Sequence, residues 1–82
     1  MDASTVHALI CELFLGGHTD AGLRFDTPLL AAGICDSLGL VQIASELERR
    51  CPGLRILDQE ITRENFGSVA QIAGFLRSKL GS

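Results

Sequence analysis

Three separated stretches of the chain carry apolar residues at helical spacing, and no stretch of useful length alternates apolar with polar. Val6, Leu9, Ile10, Leu13 and Phe14 share one face of the first. Leu40, Ile43, Ala44, Leu47 and Cys51 share one side of the second, and Val69, Ile72, Ala73, Leu76 and Leu80 one face of the third. A period near 3.6 residues builds amphipathic helices, whereas strands need a period of two. The spacing predicts an all-α chain. Helices this short are marginal alone in water, so each apolar stripe must be covered by the others.

The punctuation between the stripes sets the order of elements. Ser4 or Thr5 can cap the first helix, and Gly16-Gly17 ends it. The second helix starts at Asp36-Ser37, runs to about Arg50 and is broken by Pro52-Gly53. Thr62 can cap a very short helix over Arg63 to Phe66, after a polar stretch from Asp58 to Glu60. Ser68-Val69-Ala70-Gln71 has the form of a capping box, with serine reaching the N3 backbone and glutamine reaching back. Three main helices and one short one are expected, a four-helix bundle with a long first loop. That loop, from Gly16 to Cys35, is long for a compact domain. Phe25, Leu29, Leu30 and Ile34 offer anchors, and Asp26-Thr27-Pro28 can open a short helical turn. The loop is therefore expected to lie packed across the bundle.

Size and charge remove several functions. The 82 residues are read as one domain, 1–82. A domain this small hides only about 60% of the surface of its unfolded chain, which leaves no room for a deep enclosed active site. A net charge of −3 opposes binding to a phosphate backbone. With no Trp, no Tyr and four Phe, the chain also lacks a base-stacking surface. No nucleic-acid partner is expected. No apolar run approaches a membrane span, and Met1-Asp2-Ala3-Ser4 has no basic leader character, so no membrane partner is expected either. Cys11, Cys35 and Cys51 are odd in number, widely spaced and free of a C-x-x-C pair. That argues against a disulfide framework or a zinc site and fits a reducing, cytoplasmic compartment. A monomer is expected.

The second helix carries the functional information. At 100° per residue, its core stripe leaves Leu38 nearly opposite and Val41 on the shoulder. Ser37, Ser45 and Glu48 share that outward shoulder, with Gln42 and Arg49 beside it. Two aliphatic residues thus lie off the core, next to a serine at the helix start. Leu38 either packs under the long loop or forms part of a small exposed patch for a partner protein. Asp36 is a good N-cap, which leaves Ser37 in the first turn with its hydroxyl towards solvent. The N–H groups and partial positive charge of a helix start favour an anionic phosphate there. Asp36 then either caps alone or also shares a magnesium ion with an enzyme that installs the phosphate. Asp-Ser is, equally, an ordinary helix start.

The wider segment adds to this. Leu29-Leu30, then Gly33-Ile34-Cys35-Asp36-Ser37-Leu38-Gly39, then Leu47-Glu48, resembles the signature of phosphopantetheine carrier proteins. The run Ile61-Thr62-Arg63-Glu64-Asn65-Phe66-Gly67-Ser68-Val69-Ala70-Gln71-Ile72-Ala73 is similar to the end of small free-standing acyl and aminoacyl (peptidyl) carriers. The resemblance covers nearly the whole chain and implies the four-helix carrier bundle. It implies that Ser37 receives 4′-phosphopantetheine from coenzyme A through a phosphopantetheinyl transferase. Asp36 matches the acidic residue before that serine, and Leu38 and Val41 match apolar positions that meet partner enzymes. The partner face is expected to take in Gln42, Ser45, Glu48 and Arg49 as well. The implied function is to hold acyl or aminoacyl intermediates as thioesters without catalysing their chemistry. An adenylating enzyme or acyltransferase would load them, and a synthase, transferase or tailoring enzyme would take them onward.

There are departures. Gly39 and Gln42 stand where fatty-acid carriers are often acidic, and the segment from Asp36 to Arg50 holds only Asp36, Glu46 and Glu48 against Arg49 and Arg50. This points to polyketide or nonribosomal-type specialised metabolism and to docking led by Leu38 and Val41. Gly39 weakens the first turn by up to about 1 kcal/mol relative to Ala, and is read as room for close approach.

Two other readings stand beside the carrier. One is an unmodified small helical interaction module that uses the same patch. The other is a small hydrolase built on Ser37 or Cys35, opposed because G-x-S-x-G is missing and no histidine–carboxylate pair is evident. Cys35 is a reactive thiol near a helix start or a small core hydrophobe. His7 and His18 are expected at the surface or half-buried, with no spacing that ties either to Ser37. Arg49-Arg50 fits a charged helix end.

Overall fold

The computed structural model describes residues 1–18 and 22–81. It contains helices α1 (Ala3–Phe14), α2 (Ser37–Arg50), α3 (Arg63–Phe66) and α4 (Val69–Leu80), with a 3-10 turn at Asp58–Glu60. Among the described residues there is no strand, and the fold is a small all-α bundle. Its core joins Val6, Leu9 and Ile10 of α1 to Ile43 and Leu47 of α2 and to Ile72 and Leu76 of α4. Phe66, the last residue of α3, is fully buried among them and stacks at a tilt on Phe75.

The helix caps are local, and most fall where short-range chemistry puts them. Thr62 accepts a hydrogen bond from the Asn65 N–H and opens α3. Ser68 accepts from the Gln71 N–H and opens α4. The reciprocal half of the expected capping box is absent: the Gln71 amide instead donates to the Glu64 carbonyl at 3.0 Å, tying α4 to α3. The cap of α1 is Asp2, not Ser4 or Thr5. Its carboxylate accepts from both the backbone N–H and the hydroxyl of Thr5, at 2.9 and 2.8 Å. One anionic acceptor here satisfies two donors, and the helix starts at Ala3. Gly16 and Gly17, both with positive φ, end α1 as expected.

The apolar face of α1 shifts towards its end. Cys11 is fully buried, while Leu13 is partly exposed and Phe14 half-buried. The described part of the long connection is packed down, although its anchors differ from expectation. Leu23 and Leu29 are buried, Leu30 and Ile34 half-buried, and Phe25 is exposed. Phe25 instead contributes its carbonyl, which accepts from the Ala70 N–H at 2.9 Å. Leu29 donates its N–H to the Gly67 carbonyl at 2.8 Å, and the His7 ring donates through Nε2 to the Leu23 carbonyl at 2.7 Å. One helical turn follows Pro28, closed by the Ala32 N–H on the Pro28 carbonyl. These bonds seat the segment before Ser37 on α1 and on the α3–α4 corner.

Candidate functional site

The start of α2 is organised by Asp36. Its backbone is extended, and its carboxylate accepts from the Gly39 N–H at 2.9 Å. Ser37 is the first helical residue and is exposed. The helix-start dipole and an accessible hydroxyl coincide there, so the residues present fit a serine-linked phosphodiester. One oxygen of the Asp36 carboxylate is taken by the cap bond.

Leu38 is 74% exposed and Val41 46%. Leu38 is therefore not covered by the long loop. Gln42 and Ser45 are exposed on the same outward side. Leu40, Ile43, Ala44 and Leu47 are buried as the helical spacing requires, and Cys51 is half-buried just beyond Arg50.

The two flanks of α2 are fixed by different neighbours. On the α1 side, Gly39 is buried against Cys35 and Phe14. A β-carbon there would meet the ring of Phe14 at 3.2 Å, so the room that glycine leaves is taken by α1 and by Cys35 of the same chain. Further along, Arg50 pairs with Glu12 of α1 at 3.2 Å. On the opposite shoulder the Glu48 carboxylate accepts from the Ile56 N–H at 2.7 Å. Glu48 thus holds the segment after α2 in place, a role its helical position alone did not reveal. Arg49, expected to face a partner, pairs with Glu46, which also accepts from Arg50. Hydrogen bonds from Arg49 first and Arg50 second hold the Glu46 carboxyl below its ordinary range.

Cys35 is half-buried, and burial, followed by the negative charge of Asp36, pushes its thiol up. A thiol kept protonated in this way is a poor nucleophile. His7 is half-buried, with its ring engaged by the Leu23 carbonyl and 3.8 Å from the Cys11 sulfur. His18 is exposed. Among the described residues, no group of three His, Cys, Asp or Glu side chains is placed to hold a metal ion. No helix among the described residues is long and apolar enough to cross a membrane. A half-open cleft of about 170 Å³ lies between the turn after Pro28 and the α3–α4 corner, lined by Leu30, Ala31, Arg63 and Gln71 among others. None of the α2 site residues lines it.

No known family model matches the chain, and no curated protein is similar enough to count as a relative.

Proposed function

We propose that this chain is a phosphopantetheine carrier protein, with Ser37 as the attachment point. One observation carries the reading: an exposed serine in the first turn of α2, capped by Asp36, is followed at once by the most exposed large apolar residue of the chain, Leu38. A hydroxyl to be modified by a visiting enzyme needs access, a tolerant electrostatic setting and a surface to be recognised by. All three meet within Asp36-Ser37-Leu38.

In the modification, Ser37 Oγ attacks the phosphorus that links the pantetheine arm of coenzyme A to its adenosine half. The new Ser37 O–P bond forms, the old P–O bond breaks, and adenosine 3′,5′-bisphosphate leaves. The serine proton passes to the transferase. Once attached, the arm supplies a thiol that carries an acyl or aminoacyl group as a thioester. The domain contributes attachment, recognition and a raised local concentration of cargo at a docked enzyme. It serves as a substrate for its partners and catalyses nothing itself. An adenylating enzyme or acyltransferase loads the arm, and a synthase, transferase or tailoring enzyme receives the cargo. The weak acidity of α2 favours polyketide or nonribosomal-type metabolism, in the cytoplasm.

The test is an intact-mass measurement. The purified chain is incubated with coenzyme A, magnesium and a broad-specificity phosphopantetheinyl transferase. Addition of one arm to the chain, and none to Ser37→Ala, is the expected result. An unmodified interaction module would gain no mass, and that outcome would overturn the carrier reading.

A further inference from the structure

The cleft between the turn after Pro28 and the α3–α4 corner, about 170 Å³, takes no part in the α2 site. One wall is apolar and consists of Pro28, Leu30 and Ala31, while the other carries Arg63, Gly67 and Gln71. Arg63 is the one charged residue among the described residues lining it. Arg24, Arg49, Arg50 and Lys79 are each matched to a carboxylate, whereas Arg63 is exposed and makes no ion pair among the described residues. The Gln71 amide is committed to the Glu64 carbonyl. Gly67 offers backbone alone, because a β-carbon there would run into the Arg63 carbonyl and stand 2.6 Å from Gln71 Oε1. The cleft also borders a backbone junction. Leu29 donates its N–H to the Gly67 carbonyl at 2.8 Å, and its own carbonyl accepts from the Ile34 N–H at 3.0 Å.

We propose that this cleft binds a small free carboxylic acid with a short aliphatic body, its carboxylate on the Arg63 guanidinium and its chain against Pro28 and Leu30. A cation without an acidic partner, facing an apolar wall, is complementary to a molecule with one anionic end and one apolar end. The guanidinium fork takes both carboxylate oxygens in charge-assisted bonds. The wall opposite removes methylene groups from water. Size sets the length of the body: a cavity of roughly 150 Å³ accepts a benzene-sized molecule, so about four to six carbons fit here. A neutral apolar molecule would leave Arg63 without a partner, and a bare inorganic anion would gain nothing from Leu30. Because the cleft is half-open and small, binding is weak, with a Kd on the order of 1 mM. Neither Ser37 nor an attached arm takes part, so the proposal stands apart from the carrier reading.

The test is a titration of the unmodified chain with hexanoate, followed residue by residue through its amide NMR signals. The Leu29, Ala31 and Gly67 amides should shift along one saturable curve, with a Kd on the order of 1 mM. Hexanamide keeps the body without the charge, and inorganic phosphate keeps the charge without the body. Each should bind at least about fivefold more weakly than hexanoate. Arg63→Gln should weaken hexanoate about fivefold and keep the parent melting temperature, since the side chain is exposed. Ala31→Phe, which fills the cleft from an exposed position, should abolish the saturable shifts. No saturable shift up to about 20 mM hexanoate overturns the proposal. An equal response to hexanamide or to phosphate overturns it too, as does an Arg63→Gln chain that binds hexanoate like the parent. Shifts that persist in Ala31→Phe place the acid elsewhere and overturn the cleft as its site. None of these results touches the gain of mass at Ser37, so failure here leaves the carrier reading intact.

Discussion

Gly39 lies so close to Cys35 that a β-carbon added to it would stand 2.5 Å from the Cys35 β-carbon. Alanine normally stabilises a helix interior by about 1 kcal/mol over glycine. Here the gain is outweighed, because overpacking at a tight contact costs about 1–3 kcal/mol. Gly39→Ala should therefore lower the urea midpoint. Cys35→Gly added to it should recover part of the loss, and a double-mutant cycle reads the coupling directly. A stabilised Gly39→Ala protein would show that the start of α2 shifts freely away from residue 35.

The contrast between the two sides of α2 gives the next expectation. Leu38 is 74% exposed, while Leu47 is fully buried. Leu38→Glu should leave the melting temperature close to the parent value. Leu47→Ala should cost about 2–5 kcal/mol, from lost burial plus an unfilled cavity. Thermal unfolding followed by circular dichroism measures both. Equal losses would put Leu38 in the core and remove it from the proposed partner face.

Much of this arrangement was legible in the residues, and what escaped has a common cause. The burial of Ile43 and Leu47 and the off-core position of Leu38 follow from helical period alone, because they are properties of one helix; that the long loop leaves Leu38 uncovered is a tertiary fact the period left open. The Thr62 and Ser68 caps were equally legible, since cap and donor are three residues apart. Asp2 displaced Ser4 and Thr5 as the cap of α1 because a carboxylate can take two Thr5 donors at once. The partners of Gln71, Glu48 and Phe25 lay out of reach of any local pattern. Gln71 turns to a carbonyl seven residues back, Glu48 to an N–H eight residues on, and Phe25 gives its carbonyl to Ala70. Each was read by its side-chain type, and each was decided by a backbone group that packing brought near. The proposal that Ser37 is modified rests on resemblance and exposure together.

Glu48 is half-buried and accepts from the half-buried Ile56 N–H. Glu48→Ala leaves that donor without a partner, which costs about 1–3 kcal/mol in a part-buried setting. Glu48→Gln keeps an acceptor oxygen and should lose less. Native-state hydrogen exchange provides the specific readout: the Ile56 amide should exchange faster in Glu48→Ala, and much less so in Glu48→Gln. Unchanged protection at Ile56 would show that the segment after α2 is held by its apolar contacts alone.

Asp2, Glu46 and Glu60 set the acid limb of stability, Asp2 through the backbone and then the side-chain hydrogen bond from Thr5 that lower it from 3.8. Hydrogen bonds from Lys79 first, then from the Leu57 N–H, lower the Glu60 carboxyl from its ordinary value of 4.5. Glu46 is lowered from the same value by Arg49 and then Arg50. A carboxyl whose folded value lies below its unfolded value binds fewer protons in the folded state. Its contribution is present above the unfolded value and is lost as pH falls through the folded one. Melting temperature should thus be flat just below neutrality and fall once pH drops below 4.5. Glu60→Gln should flatten part of that fall, and salt should weaken it, because both pairs are near the surface. An acid limb unaltered by Glu60→Gln would assign the proton uptake elsewhere.

Asp36 offers a way to separate structure from chemistry at the proposed modification site. One carboxylate oxygen is the N-cap acceptor for the Gly39 N–H. Asparagine caps about as well as aspartate, whereas alanine costs about 0.5–2 kcal/mol. Asp36→Asn should keep the parent melting temperature, and Asp36→Ala should lower it. Modification of Ser37 asks more of the residue if its carboxylate also shares the magnesium ion of the transferase, because a neutral amide is a far weaker ligand for that ion. Asp36→Asn should then take up the arm more slowly than the parent despite equal stability, with part of the rate restored by raised magnesium. Mass spectrometry of timed samples reads that rate. If Asp36→Asn is modified as fast as the parent, the carboxylate acts only as a cap, and the chemistry at Ser37 belongs wholly to the visiting enzyme.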